Sequence, residues 1–432
     1  MSPEIFYYDQ PFVLESGATL PGLQIAYHTY GQLNAEITNV VWAFHALTAN
    51  SEVMDWWPGL FGEDAFFNPK DNFIICANVI GSPYGSTAPQ NPDFPVFTVR
   101  DVVKAHLLLA EALAISNIKV VIGGSFGGSQ ALEFAYSFPG KIENMVLVAS
   151  AALESAWGIA IHEAQRLALQ ADASFGQPGG GGQGLQAARA IGMLTYRTAD
   201  AFMATQTDAD ERMDDFKAAS YIRYQGEKLV RRFNALSYYY LSKCLDSHNI
   251  GRGRGGLEQA LQAIDTRTLV IGIDTDQLLP TRLQKFMARH LPNATYKEIN
   301  SAYGHDGFLI ETEKLSRLIR KFIVERQAKQ ITVAELEALM ASHEDFQLID
   351  VREPFEVVIA SIGGINIPLK DIPGRLTSIA RDKKVVVYCR SGKRSASAIE
   401  YIEEAIDHDQ LFNLEGGILA WAEKIDQSVE VY

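Results

Sequence analysis

The chain has 432 residues, a formal net charge of −14, 47% hydrophobic residues and 21% charged residues. This length is sufficient for two or three domains, and the composition is that of a globular protein, which excludes a disordered or fibrous chain. Because an acidic surface repels nucleic acid and anionic membranes, neither is an expected partner. The three cysteines, Cys76, Cys244 and Cys389, are too few for a disulfide framework and are typical of a reducing compartment.

The N-terminus lacks a basic stretch followed by an apolar run, and no apolar run is long enough to span a membrane. We therefore expect a cytoplasmic protein. His28, His106, His162 and His248 follow no metal-ligand spacing, so we expect neither a metal site nor a bound cofactor.

Short apolar runs alternate with helical patterns in the first third of the chain. Strands are predicted at residues 40–44, 73–77, 119–123 and 145–149, with a helix at residues 130–138. Strands that alternate with helices predict a parallel sheet covered by helices on both faces, which is an α/β fold class.

A helical stretch of mixed spacing at about residues 155–260 interrupts this alternation, and a glycine run at residues 179–182 predicts a loop within it. We interpret the stretch as a helical cap over a domain formed by residues 1–324. A polar segment at residues 325–329 marks a boundary. Beyond it, strands predicted at 347–351 and 384–388 indicate a second, smaller α/β domain at residues 330–432.

The first chemical motif is Gly-Gly-Ser-Phe-Gly at residues 123–127, which has the G-x-S-x-G form. It follows a predicted strand and precedes a predicted helix, so Ser125 would sit on a sharp turn with its hydroxyl lifted out of the sheet. The alternative is a glycine-rich turn without chemistry, and the motif alone does not decide between the two.

An acid and a histidine follow the serine in the order expected for a catalytic triad. Asp276 comes after the strand predicted at residues 268–273, and His305 lies in a later loop. In this arrangement Ser125 attacks an acyl donor, His305 accepts its proton and Asp276 orients the imidazole. Asp274 is an alternative acid two residues away.

Several segments resemble the homoserine O-acetyltransferase family, which has an α/β-hydrolase fold. The similarity covers about residues 5–322. The segments include HALTAN at 45–50, FTVRDV at 97–102, GGSFGGSQALE at 123–133, MLTYRT at 193–198, YIRYQG at 221–226 and SHNIGRGRGG at 247–256.

The resemblance implies that Ser125, Asp276 and His305 form the triad of an acyl-enzyme, ping-pong mechanism that uses acetyl-CoA as donor. It further implies that Arg197 binds the homoserine carboxylate and Asp306 its amino group. The backbone N–H groups of Leu47 and Phe126 would form the oxyanion hole, and the enzyme would be a homodimer through its cap. From the residues alone, a cap salt bridge explains Arg197 better and a loop cap explains Asp306 better.

Two other features leave alternatives open. Ser82 and Pro83 stand where a Gly-Cys pair is common in the family, and the glycine run replaces an aromatic-rich sequence. The donor could therefore be succinyl-CoA and the acceptor serine. Arg252 and Arg254 either meet a CoA phosphate or brace the cap.

The second chemical motif is Cys389 with the loop that follows it. The loop residues are Arg390, Ser391, Gly392, Lys393, Arg394 and Ser395. A cysteine between a strand and a helix N-terminus, beside cationic side chains, favours a negatively charged sulfur, and such a loop can hold an anion. Cys389 and Arg394 are five positions apart, one fewer than in phosphatase loops, which favours sulfur chemistry over phosphate chemistry.

This segment resembles the active loop of rhodanese domains. DVRE at 350–353, IASIGG at 359–364 and LEGGILAW at 414–421 extend the similarity over about residues 330–432. The nearest resemblance is to rhodanese domains attached to adenylating sulfur-transfer enzymes. It implies that Cys389 carries a persulfide, with a protein as possible sulfur donor or acceptor.

The sequence thus predicts an acyltransferase that acetylates homoserine for methionine biosynthesis, fused to a sulfurtransferase domain. The small-molecule partners would be an acyl-CoA and homoserine. Alternatives are a serine or homoserine O-succinyltransferase and a general esterase with an attached rhodanese module. A sulfur carrier on an inactive scaffold is disfavoured by the complete triad.

Overall fold

The structure is a computed structural model, and it describes residues 2–324, 329–342, 344–406, 408 and 410–430. The chain divides into two compact units, Met1–Arg320 and Lys321–Tyr432. Most of the predicted linker, residues 325–328, lies outside the described residues, so the domain limits stay a prediction.

The first unit is built on a mixed sheet of eight strands. The strands of this unit are β1 (Glu4–Tyr8), β2 (Phe12–Val13), β3 (Thr19–Leu20), β4 (Leu23–Tyr30), β5 (Val40–Phe44), β6 (Phe73–Ala77), β7 (Ile118–Gly124), β8 (Ile142–Val148), β9 (Arg267–Ile273) and β10 (Ala294–Ile299). The spatial order is β1-β4-β6-β5-β7-β8-β9-β10, while β2 and β3 form a separate hairpin.

The six strands from β6 to β10 in this spatial order are parallel, whereas β1 and β4 pair antiparallel at one edge. The sequence predicted five of these parallel strands, β5 to β9, because they are largely buried and therefore consist of continuous apolar runs, as in β5, where every residue is buried. The sixth, β10, was not predicted, and most of its positions are exposed or half-buried. The antiparallel strands β1 and β4 were not predicted either. Polar residues, Gln24, His28 and Thr29, interrupt the apolar residues of β4, and β1 is exposed or half-buried along its whole length.

The helices of the first unit lie on either side of the sheet or form the cap. They are α1 (Val53–Trp56), α2 (Val99–Ala112), α3 (Phe126–Ser137), α4 (Ala156–Gln170), α5 (Gly182–Tyr196), α6 (Ala199–Gln206), α7 (Lys217–Val230), α8 (Ala235–Asp246), α9 (Leu257–Gln262), α10 (Thr281–His290), α11 (Gly307–Ile310) and α12 (Thr312–Val324). Helix α3 begins four residues before its predicted start, because Gly127, Gly128 and Ser129 are weak helix formers that conceal its first turn. The six helices α4–α9 confirm the predicted helical cap.

The second unit contains a five-stranded parallel sheet in the order β11-β15-β14-β12-β13. Its elements are β11 (Lys329–Ile331), α13 (Val333–Ala341), β12 (Phe346–Asp350), α14 (Pro354–Ile359), β13 (Ile365–Asn366), β14 (Lys384–Tyr388), α15 (Lys393–Ala405), β15 (Leu411–Leu414) and α16 (Gly417–Lys424). Short 3-10 helices at Leu369–Gly374 and Leu376–Ser378 connect β13 to β14. Within the described residues, none of the helices combines the length and apolarity needed to cross a bilayer.

A buried ion pair holds the second unit together beside β12. Arg352 is completely buried, and its Nε and Nη2 donate to the Asp350 carboxylate at 2.9 and 2.5 Å. Nη2 also donates to the Ala360 carbonyl at 2.8 Å. Both charges are therefore satisfied only while the pair is intact.

We expect Arg352→Met to lower the free energy of unfolding of this unit by about 3–5 kcal/mol, because it leaves the Asp350 carboxylate buried without its partner. Hydrogen exchange of peptides from the second unit, measured in the full chain at increasing urea, tests this expectation. Arg381→Met, which removes the same charge from an exposed position, is the control. Equal exchange in the two variants would contradict the prediction.

Candidate active site

Ser125 lies on a strained turn between β7 and α3. Its backbone has φ of 55° and ψ of −124°, a conformation that non-glycine residues rarely adopt. The flanking glycines are required by close approach: a Cβ on Gly127 would lie 2.1 Å from the Phe44 carbonyl oxygen, and one on Gly123 would lie 2.1 Å from the Gly127 carbonyl oxygen. The turn has the strand–turn–helix context expected of a nucleophile elbow.

A hydrogen-bonded chain connects Ser125 to His305 and Asp276. His305 Nε2 is 2.8 Å from Ser125 Oγ, and His305 Nδ1 is 2.7 Å from Asp276 Oδ2. The other oxygen of Asp276 accepts hydrogen bonds from the backbone N–H groups of Leu278 and Leu279 at 2.9 and 2.8 Å, which fixes the carboxylate. The structure therefore brings together the three residues that the sequence singled out as a triad.

The alternative acid, Asp274, lies elsewhere in the same loop. Its Oδ1 accepts the backbone N–H of Ser301 at 2.9 Å, so this carboxylate ties the loop after β9 to the segment after β10. The geometry places Asp276, and not Asp274, beside His305.

His305 is buried in an acidic environment. Burial by itself lowers the pKa of His305, but the charge and hydrogen bond of Asp276, together with the charges of Asp306 and Glu154, raise that pKa above its ordinary value. For Glu154, burial raises the pKa and the nearby His162 opposes this shift. An imidazole surrounded by carboxylates is a strong proton acceptor, as a general base must be.

The triad opens into a cavity of about 480 Å³ beneath the cap. Ser125 and His305 lie at the wall formed by the sheet-end loops, together with the aromatic side chains of Trp56 and Phe308. Tyr196, at the end of α5, contributes from the cap, and its ring is tilted by 39° against the His305 ring, with ring centroids 6.0 Å apart. A cavity of this size and mixed character is typical of a small-molecule site.

The two predicted oxyanion donors lie in the loop after β5 and at the start of α3, and their role stays a prediction. Leu47 lines the cavity in the loop after β5, and Phe126 is the first residue of α3, where helix N–H groups lack an acceptor in the helix. His45 organises the Leu47 loop: its Nδ1 is 2.8 Å from the Ala46 carbonyl oxygen and its Nε2 accepts the Val79 N–H at 3.2 Å. Burial lowers the pKa of His45 to about 4, which makes it a neutral, structural residue.

Arg197 and Asp306 contact each other. Arg197 Nε donates to Asp306 Oδ2 at 2.9 Å, across the junction between the cap and the loop that carries His305. Asp306 also lines the cavity. The structure thus brings both predicted substrate-binding residues to the edge of the site, paired with each other, and their roles toward a substrate stay a prediction.

Arg252 and Arg254 are both engaged in ion pairs. Arg252 Nη2 donates to Glu15 at 2.7 Å, and Arg254 pairs with the buried Glu133 of α3 and stacks on the Tyr136 ring at 3.7 Å. The sequence left open whether these arginines bind a CoA phosphate or stabilise the cap. Their ion pairs favour a structural role.

The second candidate site surrounds Cys389 at the carboxyl end of β14. The backbone N–H of Gly392 and the hydroxyl of Ser395 donate to its sulfur at 3.2 and 3.4 Å. The cysteine is buried, with 1% of its surface exposed. Donors that converge on the sulfur favour a negative charge there.

The predicted loop residues form a turn after Cys389 and the first turn of the next helix, and two of them, Gly392 and Ser395, contact the sulfur. Arg390, Ser391 and Gly392 form the turn, and Gly392 has φ of +89°, which glycine adopts readily. Lys393, Arg394 and Ser395 form the first turn of α15. Arg394 donates to both carboxylate oxygens of Glu356 at 2.6 and 2.7 Å, so its guanidinium is held in place by α14.

The other two cysteines are unlike Cys389. Cys76 and Cys244 are fully buried in the first unit, and burial raises the pKa of both thiols, which makes them unreactive core residues. Among the residues that the structure describes, no group of three or more His, Cys, Asp or Glu side chains is arranged to hold a metal ion.

Two family models match the chain. Residues 39–312 match the family model of the α/β hydrolase fold, and residues 332–424 match that of the rhodanese-like domain. These matches confirm the predicted fold class, an α/β-hydrolase domain with a small α/β rhodanese-like domain.

Curated relatives define the family more narrowly. The homoserine O-acetyltransferase of Cyclobacterium marinum is 48% identical over 75% of this chain and 96% of its own length, and that of Chloroherpeton thalassium is 40% identical over 73% and 87%. The chain therefore belongs to the homoserine O-acetyltransferase family, with a rhodanese-like domain at its C-terminal end.

Solved structures show the same fold. A homoserine O-acetyltransferase from Staphylococcus aureus is 27% identical, with a TM-score of 0.66 over 79% of this chain and 99% of that one. The esterase E22 has a TM-score of 0.69 at 23% identity, over 74% and 99%. An esterase and a transferase thus share this architecture, so the fold alone does not determine what resolves an acyl-enzyme.

Sequence reasoning missed several residues that line the cavity. Glu154 and His162 come from the start of the cap, and Arg189, Lys228 and Arg232 come from α5, α7 and the residues after α7. These positions are far apart in the chain and follow no motif, so only the folding of the cap over the triad reveals them.

The pH dependence of acylation tests the environment of His305. Because the base must be neutral, kcat/KM is expected to fall as the pH decreases through a pKa above the ordinary histidine value of 6.5. Glu154→Gln removes a charge that raises this pKa, so the acidic limb should move to lower pH. The measurement is acylation by p-nitrophenyl acetate, with Glu163→Gln, an exposed cap carboxylate, as control. If the acidic limb of the pH profile is the same in Glu154→Gln as in the unmodified chain, the prediction is wrong.

Proposed function

We propose that the first unit is a homoserine O-acetyltransferase with acetyl-CoA as donor and an acetyl-enzyme on Ser125 as intermediate. The observation that carries the proposal is the Ser125–His305–Asp276 chain at the wall of a capped cavity. Family membership supports the acceptor and the donor.

In the first half of the reaction, Ser125 Oγ attacks the thioester carbonyl while His305 Nε2 accepts the hydroxyl proton. The N–H groups of Leu47 and Phe126 stabilise the oxyanion, and His305 returns the proton to the leaving CoA thiolate. In the second half, the homoserine hydroxyl replaces the thiol. His305 takes the proton of this hydroxyl, whose oxygen attacks the carbonyl carbon of the acetyl-enzyme. The bond between Ser125 Oγ and the acetyl group then breaks, and His305 returns the proton to Ser125 Oγ as O-acetylhomoserine leaves.

Transfer rather than hydrolysis requires that the acceptor hydroxyl outcompete water at the acetyl-enzyme. A cap that covers the cavity supports this, because it limits the access of water to the ester. We propose that Arg197 binds the carboxylate of the acceptor and that Asp306 binds its ammonium group. The hydrogen bond of 2.9 Å between Arg197 and Asp306 fixes both side chains at the edge of the cavity.

An assay of the purified full chain tests this function. Acetyl-CoA or succinyl-CoA is offered with homoserine or serine, and free CoA and acylated amino acid are quantified. The proposal expects O-acetylhomoserine in amounts equal to the CoA released. CoA release without any acylated amino acid would establish an esterase, and a preference for succinyl-CoA or serine would replace the assigned substrates.

For the second unit we propose a sulfurtransferase in which Cys389 carries a persulfide. The support is the pair of donors from Gly392 and Ser395 on the Cys389 sulfur, within a domain that matches the rhodanese-like family. The terminal sulfur of a persulfide carries negative charge, which N–H and O–H donors stabilise. We further propose that this sulfur serves the same biosynthetic route, in which acylated homoserine has its oxygen replaced by sulfur. Loss of residues 330–432 should then impair sulfur assimilation in cells that depend on this chain.

We also propose a cytoplasmic homodimer formed through the cap. Large apolar side chains are exposed along the cap helices, among them Trp157, Leu167, Leu194 and Met203. Exposed apolar surface of this kind is typical of a protein interface. Light scattering on the purified chain distinguishes a dimer from a monomer, and Leu167→Glu with Leu194→Glu should dissociate a cap-mediated dimer.

A further inference from the structure

Three cationic side chains line the cavity beside the triad. Arg189 comes from α5, Lys228 from α7, and Arg232 from the residues that follow α7. Like charges on neighbouring elements repel one another, and the chain as a whole has a net charge of −14. Such a concentration of positive charge has an electrostatic cost unless an anion binds there.

Contacts hold Arg189 and Arg232 in position and leave their charges unneutralised. Among the described residues, none of the three has a carboxylate within salt-bridge distance. The Arg189 guanidinium lies over the Tyr196 ring at 5.4 Å, and the Arg232 guanidinium donates to the Thr48 carbonyl and to the Tyr84 hydroxyl, the latter at 2.8 Å. Lys228 is exposed at the surface.

Two of the three carboxylates that line the cavity are engaged near His305. Asp306 pairs with Arg197 at 2.9 Å, and Glu154 accepts the Ser155 N–H at 2.9 Å and raises the pKa of His305 by its charge. The third, Asp55, is exposed and belongs to α1. Carboxylates therefore lie around His305, whereas the three cations come from α5, α7 and the residues after α7, with Lys228 and Arg232 exposed to solvent.

We propose that Arg189, Lys228 and Arg232 form the binding site for the phosphate groups of the acyl-CoA donor. The inference rests on the proposed acyl-CoA chemistry and adds to it the residues that hold the nucleotide end. A cavity of about 480 Å³ suits a drug-sized molecule. The acyl-pantetheine arm can reach Ser125 within it, while the larger, charged nucleotide stays at the exposed cationic side.

The phosphates are a better match to this site than the acceptor carboxylate. Three separate cations from different elements suit a ligand with several negative charges at different positions, whereas a single carboxylate is satisfied by one guanidinium fork. Lysine is well suited to phosphate as a mobile point charge, and Lys228 lies where an exposed phosphate could meet it.

Steady-state kinetics with two donors tests the proposal in the full chain. Lys228→Gln and Arg189→Gln are each expected to raise the KM for acetyl-CoA by on the order of tenfold, the size of one lost charge-assisted hydrogen bond. The KM for the acetyl thioester of N-acetylcysteamine, which has no phosphate, should not change, and neither should the KM for homoserine. Arg231→Gln is the matched control because it removes the same charge from a neighbouring, exposed position that does not line the cavity.

The outcomes separate this inference from the proposed function. A raised KM for acetyl-CoA alone supports the phosphate site, and weaker binding of 3′,5′-ADP to the same variants in calorimetry would support it further. An unchanged KM for acetyl-CoA, or an equal rise for the phosphate-free thioester, overturns it. A rise in the KM for homoserine alone would reassign the cations to the acceptor carboxylate. Failure of the unmodified chain to use any acyl-CoA would instead refute the proposed function.

Discussion

Replacement of Ser125 by alanine is expected to reduce kcat/KM for O-acetylhomoserine formation by at least about 10⁴-fold, because in the proposed mechanism Ser125 alone forms the acetyl-enzyme. The substitution removes only Oγ, whose hydrogen bond to His305 Nε2 is 2.8 Å long. The backbone turn has φ of 55° at this residue, and alanine tolerates it no worse than serine does. Folding should therefore be preserved while chemistry is lost.

Product quantification by mass spectrometry, together with trapping of the acetyl-enzyme on the intact protein, measures this effect. Ser129→Ala is the matched control, since Ser129 is a buried serine one turn further along α3 and outside the hydrogen-bonded chain. Acetylation of the Ser125→Ala variant, or transfer at more than about one hundredth of the original rate, would show that a different residue carries the acyl group.

Replacement of Cys389 by alanine is expected to abolish sulfur transfer from thiosulfate to cyanide and to leave acyl transfer unchanged. In the proposed reaction the Cys389 thiolate attacks the sulfane sulfur of thiosulfate, the S–S bond breaks, and sulfite leaves with the electron pair. Cyanide then takes the outer sulfur of the persulfide as thiocyanate and regenerates the thiolate. Without Cys389 there is no carrier, so the rate should fall to background.

Thiocyanate formation and a mass increase of one sulfur atom on the peptide that contains Cys389 are the two readouts. Cys244→Ala is the control, because that thiol is buried in the first unit and burial raises its pKa. Sulfur transfer that survives in Cys389→Ala would reject the persulfide carrier. A parallel loss of acyl transfer would reject the independence of the two activities.

Local sequence determined the parts of the molecule that depend on a few consecutive residues. The parallel strands β5 to β9 were predicted because a strand buried on both faces is a continuous apolar run. The Ser125 turn was predicted because Gly123 and Gly127 flank a serine between a strand and a helix, and the structure shows that no Cβ fits at either glycine. The Cys389 loop was also predicted, because its cysteine, cationic residues and serine are consecutive in the sequence.

The tertiary structure alone decided the features that depend on distant parts of the chain. It selected Asp276 over Asp274, because only the loop geometry after β9 determines which carboxylate reaches His305 Nδ1. It also paired Arg197 with Asp306, and it revealed the antiparallel strands β1 and β4, whose pairing depends on their neighbours in the sheet.

The distribution of charged side chains in the cavity was likewise decided by the tertiary structure alone. Glu154, Arg189 and Lys228 belong to three cap helices or their flanks, and nothing in the local sequence distinguishes them from solvated surface charges. They acquire a shared environment only when the cap folds over the triad. A catalytic residue on a single turn can thus be predicted from the residues that flank it. A binding surface formed by several helices cannot, because it depends on how those helices pack.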